Sequence, residues 1–197
     1  MTAERAARIE RQTRETRVLV DLRLDGGTEP EVSTGLRFLD HMLRALAVHG
    51  RFGLVVQASG DLDVDAHHTA EDVAIVLGQA FAAALGDRAG IERFGEAACP
   101  LDESLARASV DCSGRGYAVV DVPLAGPSLG TLATSLIPHF LETFAVRAGI
   151  TLHVTTRGRD DHHMAEATFK ALAVALRRAL AVDPTLAGRP ATTKGLL

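Results

Sequence analysis

The pattern His-His-x-x-Glu occurs twice in this chain, as His67, His68 and Glu71 within "DAHHTAED" and as His162, His163 and Glu166 within "RDDHHMAEA". The doubling constrains the fold more than any other feature, because a motif that recurs together with its surroundings signals a duplicated architecture. Here the surroundings recur. Laid over each other, "FLDHMLRALAVHGRFGLVVQASG" and "LIPHFLETFAVRAGITLHVTTRG" run without a gap and bring His41 onto His139, Ala47 onto Ala145, Val48 onto Val146, Leu54 onto Leu152 and Gly60 onto Gly158. Between the aligned glycines and the histidine pairs the first half carries three extra residues, a loop insertion, and downstream Leu77 meets Leu172. The expected division is 1–95 for the first half-repeat and 96–197 for the second with its C-terminal tail, packed as one functional unit.

Each half reads the same way locally. Val18, Val20, Leu22 and Leu24 alternate with Arg17, Asp21 and Arg23, and "DGG" then turns the chain, which predicts a hairpin into a second extended run. Apolar residues at 36, 39, 42, 43 and 46 form a helical stripe that Gly50 would stop. The stretch "RFGLVVQASG" returns to alternation, and a helix is expected from Thr69, its candidate cap, to about Leu85, with Gly86 as its stop. The second half predicts strands near 104–112 and 117–122 turned by "SGRG", a helix near 132–147, a strand near 150–157 and a helix near 163–181. The result is an α+β fold of two similar halves, each a β-sheet covered on one face by helices.

Composition narrows the class. With 197 residues, 47% of them apolar, the chain can bury a proper core. A net charge of −4 argues against a generic nucleic-acid binder, and no stretch reaches the roughly 18 apolar residues of a membrane span. The charged N-terminus "MTAERAARIERQTRET" lacks the apolar block of a signal peptide, so a cytoplasmic location is expected. Cys99 and Cys112 form no Cys-x-x-Cys pair and are expected to be ordinary buried thiols of a reducing compartment.

On a helix, residues four apart share a face, so His67 with Glu71, and His162 with Glu166, can each aim a nitrogen and an oxygen at one point. His68 and His163 point about 100° further round, toward a different one. His41 and His139 are a matched pair, each about one turn into its helix, whereas His49 faces Arg147 and His153 faces Val55 in the alignment and have no such counterparts. The eight candidates are therefore His41, His67, His68, Glu71, His139, His162, His163 and Glu166. Imidazole with carboxylate suits Mn²⁺, Fe²⁺ or Zn²⁺, and the lack of thiolate ligands argues against a structural zinc.

The segments "FLDHML", "HG", "GDLDVDAHHTAED", "LDESLARASVDCSGRGY", "HF", "GITLHV", "DDHHMAEATFKAL" and "TTKG" together resemble imidazoleglycerol-phosphate dehydratase, from about Arg14 to the C-terminus. The chain departs from that family's usual residues at Asp160, Ala45 and Thr192, where asparagine, glutamine and serine are the rule. The resemblance implies two Mn²⁺ per active site, one on His41, His68, His162 and Glu166 and the other on His67, Glu71, His139 and His163. It also implies a homo-oligomer, a shell of 24 subunits with its sites between them.

The implied reaction removes water from imidazole-glycerol phosphate to give imidazole-acetol phosphate, a step of histidine biosynthesis. The hydrogen lost has no adjacent carbonyl, so the chemistry needs an electron sink, and metal ions on both ring nitrogens provide one. Two ions flanking one planar ring account for the doubled motif. Arg93, Arg115, Thr192, Thr193 and Lys194 match the family's phosphate-binding positions, and their guanidinium, hydroxyl and ammonium groups suit a phosphate. Glu15 matches a substrate-contacting carboxylate and is the candidate proton-handling group, beside Glu71 and Glu166 in the catalytic set. Asp102, Glu103 and Ser104 also match, in a structural or a catalytic role. Two rival readings are a di-metal hydrolase and a metal-storage shell.

Overall fold

The computed structural model describes residues 4–195. The first half begins with a strand that hydrophobic alternation does not reveal, β1 (Ala6–Gln12), paired antiparallel with β2 (Thr16–Arg23). The hairpin is therefore made by the turn at residues 13–15, and not by "DGG" as the sequence predicts. The extended run after "DGG" is β3 (Glu31–Ser33), which leaves β2 and pairs parallel with β4 (Gly53–Gly60). The sheet order is β1-β2-β4-β3.

The second half repeats this topology. β5 (Phe94–Leu101) pairs antiparallel with β6 (Ser104–Asp111), β6 pairs antiparallel with β10 (Thr151–Arg157), and β7 (Tyr117–Asp121) lies parallel on the far side of β10. The expected β6–β7 hairpin is thus replaced by two strands flanking a third. A small ribbon of β8 (Ser128–Leu129) and β9 (Leu132–Ala133) precedes the helix, which starts later than its apolar residues suggest. Registers match between halves: Leu54 pairs with Leu22, and its counterpart Leu152 pairs with Val110.

Four helices cover the sheets: α1 (Arg37–Gly50), α2 (His67–Leu85), α3 (Leu136–Ala148) and α4 (Asp161–Ala179). Their ends refine the sequence reading. Gly50 is the last residue of α1, against the ring of Phe52, and the left-handed residue that ends the helix is Arg51, φ 60°, in the place of Gly149, φ 63°, after α3. Thr69 does not cap α2; it is buried in its first turn, close against Gly60. Asp65, just before the N-cap Ala66, accepts from His67 N–H at 2.7 Å, much as Asp160, the N-cap of α4, accepts from His162 N–H at 2.8 Å and His163 N–H at 3.1 Å. Asp160 keeps the acceptor oxygen that asparagine would offer there.

The helices pair across the duplication. α1 packs on α4 and α2 on α3, so each helix pair takes one member from either half, and a single hydrophobic cluster draws on both sheets. Phe81, Phe140, Phe144 and Phe169 are fully buried in it, each worth about 1.5–3 kcal/mol by transfer from water. Close approach of α2 to α3 occurs at Gly78, where an added Cβ would lie 2.8 Å from the Phe144 carbonyl oxygen.

Candidate metal centres

Each crossed helix pair carries one trio of ligand atoms. On the α1–α4 pair, His41 Nε2 lies 3.1 Å from Glu166 Oε2, and His162 Nε2, one turn before Glu166, lies 3.3 Å from the same oxygen. On the α2–α3 pair, His139 Nε2 lies 3.2 Å from Glu71 Oε1, with the His67 and His139 rings 4.9 Å apart. Within each trio all ligand atoms fall within 4.8 Å of one another. Donors held about 2.1 Å from a common ion stand roughly 3–3.5 Å apart, so both trios fit a divalent cation. Neither of these two trios lies within one half, whereas a third group, Glu15, Asp61 and His68, whose ligand atoms also fall within 4.8 Å of one another, belongs to the first half alone.

The trios differ in their surroundings. Lys170 Nζ, one turn beyond Glu166, lies 2.7 Å from Glu166 Oε1, whereas the aligned position beside Glu71 is Ile75. Burial pushes the Glu166 carboxyl up, but bonds from Lys170 and His41 outweigh it and bring it down to about 2. Glu166 is thus placed to remain a charged ligand at neutral pH.

His68 and His163 stand apart from the trios. His68 Nδ1 is 3.0 Å from Asp61 Oδ2 and 3.7 Å from Glu15 Oε2, and its pKa is raised by the Asp61 bond above all. His163 Nδ1 is 2.9 Å from Glu103 Oε2, which raises the imidazole and holds the carboxyl well below the usual range. The Ser104 hydroxyl also donates to Glu103, at 2.8 Å, while the nearest oxygen of Asp102 is 3.9 Å from His163 Nε2.

A cationic pocket of about 740 Å³ is lined by Arg93, Ser113, Gly114, Arg115 and the tail residues Ala191, Thr192, Thr193 and Lys194. All five residues proposed for a phosphate therefore meet. Arg93 is partly committed: Nε and Nη2 donate to Asp111 at 2.7 and 3.1 Å, and Nη1 donates to the Ala191 carbonyl at 2.7 Å. It ties the tail down as well as lining the pocket. Arg115, with a side chain 68% exposed, makes only a 3.4 Å contact to Asp111 and keeps most of its donors free.

The other histidines and the cysteines take varied places. His153 is exposed on β10, and His49 is half-buried with its carbonyl accepting from Arg177. Cys112 is fully buried, but Cys99 is only half-buried, because β5 is an edge strand; both are free thiols. Ala45 lies on the buried face of α1. Asp61, Asp65, Asp111 and Lys170 contribute to the sites without having been singled out from sequence. Lys170 carried a readable signal, four residues after Glu166 on the same helix; the three aspartates lie in loops or at a strand end, where spacing gives no direction.

Two matched halves, two imidazole-carboxylate trios and a cationic pocket define the class: a duplicated α+β protein with paired sites suited to divalent cations. The family model described as imidazoleglycerol-phosphate dehydratase matches residues 34–176. A protein of that name from Phytophthora nicotianae is 56% identical over 98% of this chain, which spans 42% of that longer protein. Another from Acidiphilium cryptum (strain JF-5) is 51% identical over 98% of this chain and 99% of its own length. The crystal structure of the Pyrococcus furiosus protein, in complex with (S)-C348, superposes with a TM-score of 0.82 at 35% identity, covering 96% of this chain and all of that one. This chain belongs to the imidazoleglycerol-phosphate dehydratase family.

Proposed function

We propose that this chain removes water from imidazole-glycerol phosphate to give imidazole-acetol phosphate, the hydro-lyase step of histidine biosynthesis, in the cytoplasm. The observation that carries the reading is the pair of imidazole-carboxylate trios on crossed helix pairs, which matches the need for two ions on a two-nitrogen ring. Imidazole and carboxylate donors suit Mn²⁺. His41, His162 and Glu166 would hold one ion with His68 of the partner subunit, and His67, Glu71 and His139 the other with His163 of the partner subunit. The family resemblance implies that completion between copies in a 24-subunit shell, and the position of His68 and His163 outside the two helix-pair trios supports ligands shared between copies. Bound metal would supply Lewis acidity at the ring nitrogens and serve as the electron sink.

The chain's own residues do the rest. Arg115, Lys194, Thr192 and Thr193 bind the phosphate, and Arg93 both contributes charge and pins the tail against the pocket. A phosphate fixed there orients the three-carbon chain so that the ring reaches the metal-binding histidines. Glu15, exposed beside His68, handles a proton at the substrate. Asp160 and Asp65 hold the first turns that carry the paired histidines.

The test is product formation from imidazole-glycerol phosphate by protein stripped with a chelator and then reloaded with Mn²⁺, with metal content measured alongside. Activity should vanish on stripping and return on reloading. Full activity in the stripped protein, or release of inorganic phosphate without dehydration, would overturn the proposal.

A further inference from the structure

The two histidines outside the trios are each held at Nδ1 by a carboxylate, yet the halves take that carboxylate from places that do not correspond. Counting back along the matched strands from Leu22 and Val110 puts Thr16 opposite Ser104 and Glu15 opposite Glu103. The duplication would therefore have Glu15 hold His68 as Glu103 holds His163. It does not. Glu103 Oε2 is 2.9 Å from His163 Nδ1, while Glu103 Oε1 accepts from Ser104 Oγ at 2.8 Å, Asp160 N–H at 3.0 Å and Arg159 N–H at 3.2 Å. Every side of that carboxylate is committed. Glu15 stops 3.7 Å short of His68 Nδ1, and its side chain makes no hydrogen bond among the described residues.

The bond to His68 comes instead from Asp61, at 3.0 Å. Asp61 opens the loop between β4 and α2, residues 61–66, which is longer than the equivalent 159–161 by the inserted residues. Its second oxygen is buried with no partner, so nothing else in the described chain explains why it is turned inward. An ionised carboxylate can only accept, so Nδ1 must carry the proton in both pairs. In the neutral ring the lone pair is then on Nε2, the atom left to bind a metal.

We infer that Asp61 and Glu103 are positioning residues that fix the tautomer and aim of His68 and His163, each presenting Nε2 to a metal ion. The loop insertion, by supplying Asp61, releases Glu15 from the holding role that its counterpart Glu103 keeps, and leaves Glu15 free to face substrate. This rests on the reading of His68 and His163 as metal ligands.

Equilibrium dialysis of full-length protein against buffered Mn²⁺, with bound metal counted by atomic emission, tests it. Asp61→Ala should weaken one of the two ions about 10–100-fold and leave the other unchanged, and Glu103→Ala should do the same to the opposite ion. Asp61→Asn should restore most of the lost affinity, since its amide oxygen can still accept from Nδ1. Asp61→Ala added to His68→Ala should cost nothing further, as a residue that acts through His68 requires and a general structural role does not. Thermal unfolding in chelator should match wild type for Asp61→Ala, and that arm decides the matter if Glu103→Ala fails to fold. Wild-type affinity for both ions in Asp61→Ala, with one ion lost in His68→Ala, would overturn the inference alone. Both ions retained in His68→Ala and His163→Ala would overturn the ligand reading beneath it.

Discussion

His41 and Glu166 meet at 3.1 Å across the contact of α1 with α4, although one belongs to the first half of the duplication and the other to the second. His139 and Glu71 repeat the relationship with the halves exchanged. Each of these two trios thus draws on both repeats, and neither repeat alone carries the ligands of one.

Glu71→Gln and Glu166→Gln should therefore impair the protein in parallel. Each removes a negative charge from a trio while keeping its shape, and changing a direct ligand should cost at least the roughly 10–100-fold in metal affinity or activity that changing an outer partner typically does. Bound Mn²⁺ and kcat measured side by side check this. One variant near wild type and the other inactive would break the equivalence.

Gly78→Ala tests whether the helix crossing positions a trio. The new Cβ would meet the Phe144 carbonyl oxygen at 2.8 Å and the Ala148 nitrogen at 2.9 Å, both backbone and unable to swing away. Overpacking costs roughly 1–3 kcal/mol, more than the ~1 kcal/mol that alanine gains over glycine in a helix. The metal-free protein should melt several degrees lower, and Mn²⁺ affinity should fall because α2 carries His67 and Glu71 while α3 carries His139. An unchanged melting temperature would show that α3 shifts freely.

How much of this was legible beforehand follows from physical causes. The repeat and the helices were readable because α1 to α4 bury continuous stripes, and the ligand spacing was readable because residues four apart on a helix must share a face. β1 was not: "AARIERQ" lies at a sheet edge with only Ala7 and Ile9 partly buried while Ala6 is exposed, so alternation has almost nothing to mark. The turns at "DGG" and "SGRG" were real, but a turn fixes a change of direction and not a partner, and both following strands pair elsewhere. The trios' crossing of the halves was readable only through the family resemblance and from no local pattern, and the contacts of Asp61 and Glu103 depend on tertiary packing that no local pattern encodes.

Cys112 should be inert while the protein is folded. Burial pushes its thiol up to about 12, an effect that the nearby Arg88 only partly offsets. Between about pH 9 and pH 12 the unfolded chain ionises this thiol and the folded chain does not, so unfolding takes charge and stability should fall as pH rises through that window. Labelling with a thiolate-selective reagent at pH 8 should modify Cys112 only after denaturation; rapid labelling of the native protein, located by peptide mass, would contradict the burial argument.

Lys194→Ala should raise the substrate KM markedly with little change in bound metal. The tail reaches the pocket because Arg93 holds the Ala191 carbonyl at 2.7 Å, and the Thr192 hydroxyl accepts from Lys194 N–H at 3.2 Å, which shapes the terminal turn. Lys194 and the exposed Arg115 then face the same cavity, a pair of cations suited to a phosphate dianion. The phosphate does not react, so its binding energy is shared by ground and transition states, and KM should carry most of the loss. Any fall in kcat would report misplacement of the ring between the metal-binding histidines. Truncation after Ala191 should reproduce the defect, while Arg93→Ala should add susceptibility of the tail to proteolysis, because it releases the anchor as well as the charge. Steady-state kinetics with unchanged KM and kcat for both Lys194→Ala and the truncation would remove Thr192, Thr193 and Lys194 from the phosphate site.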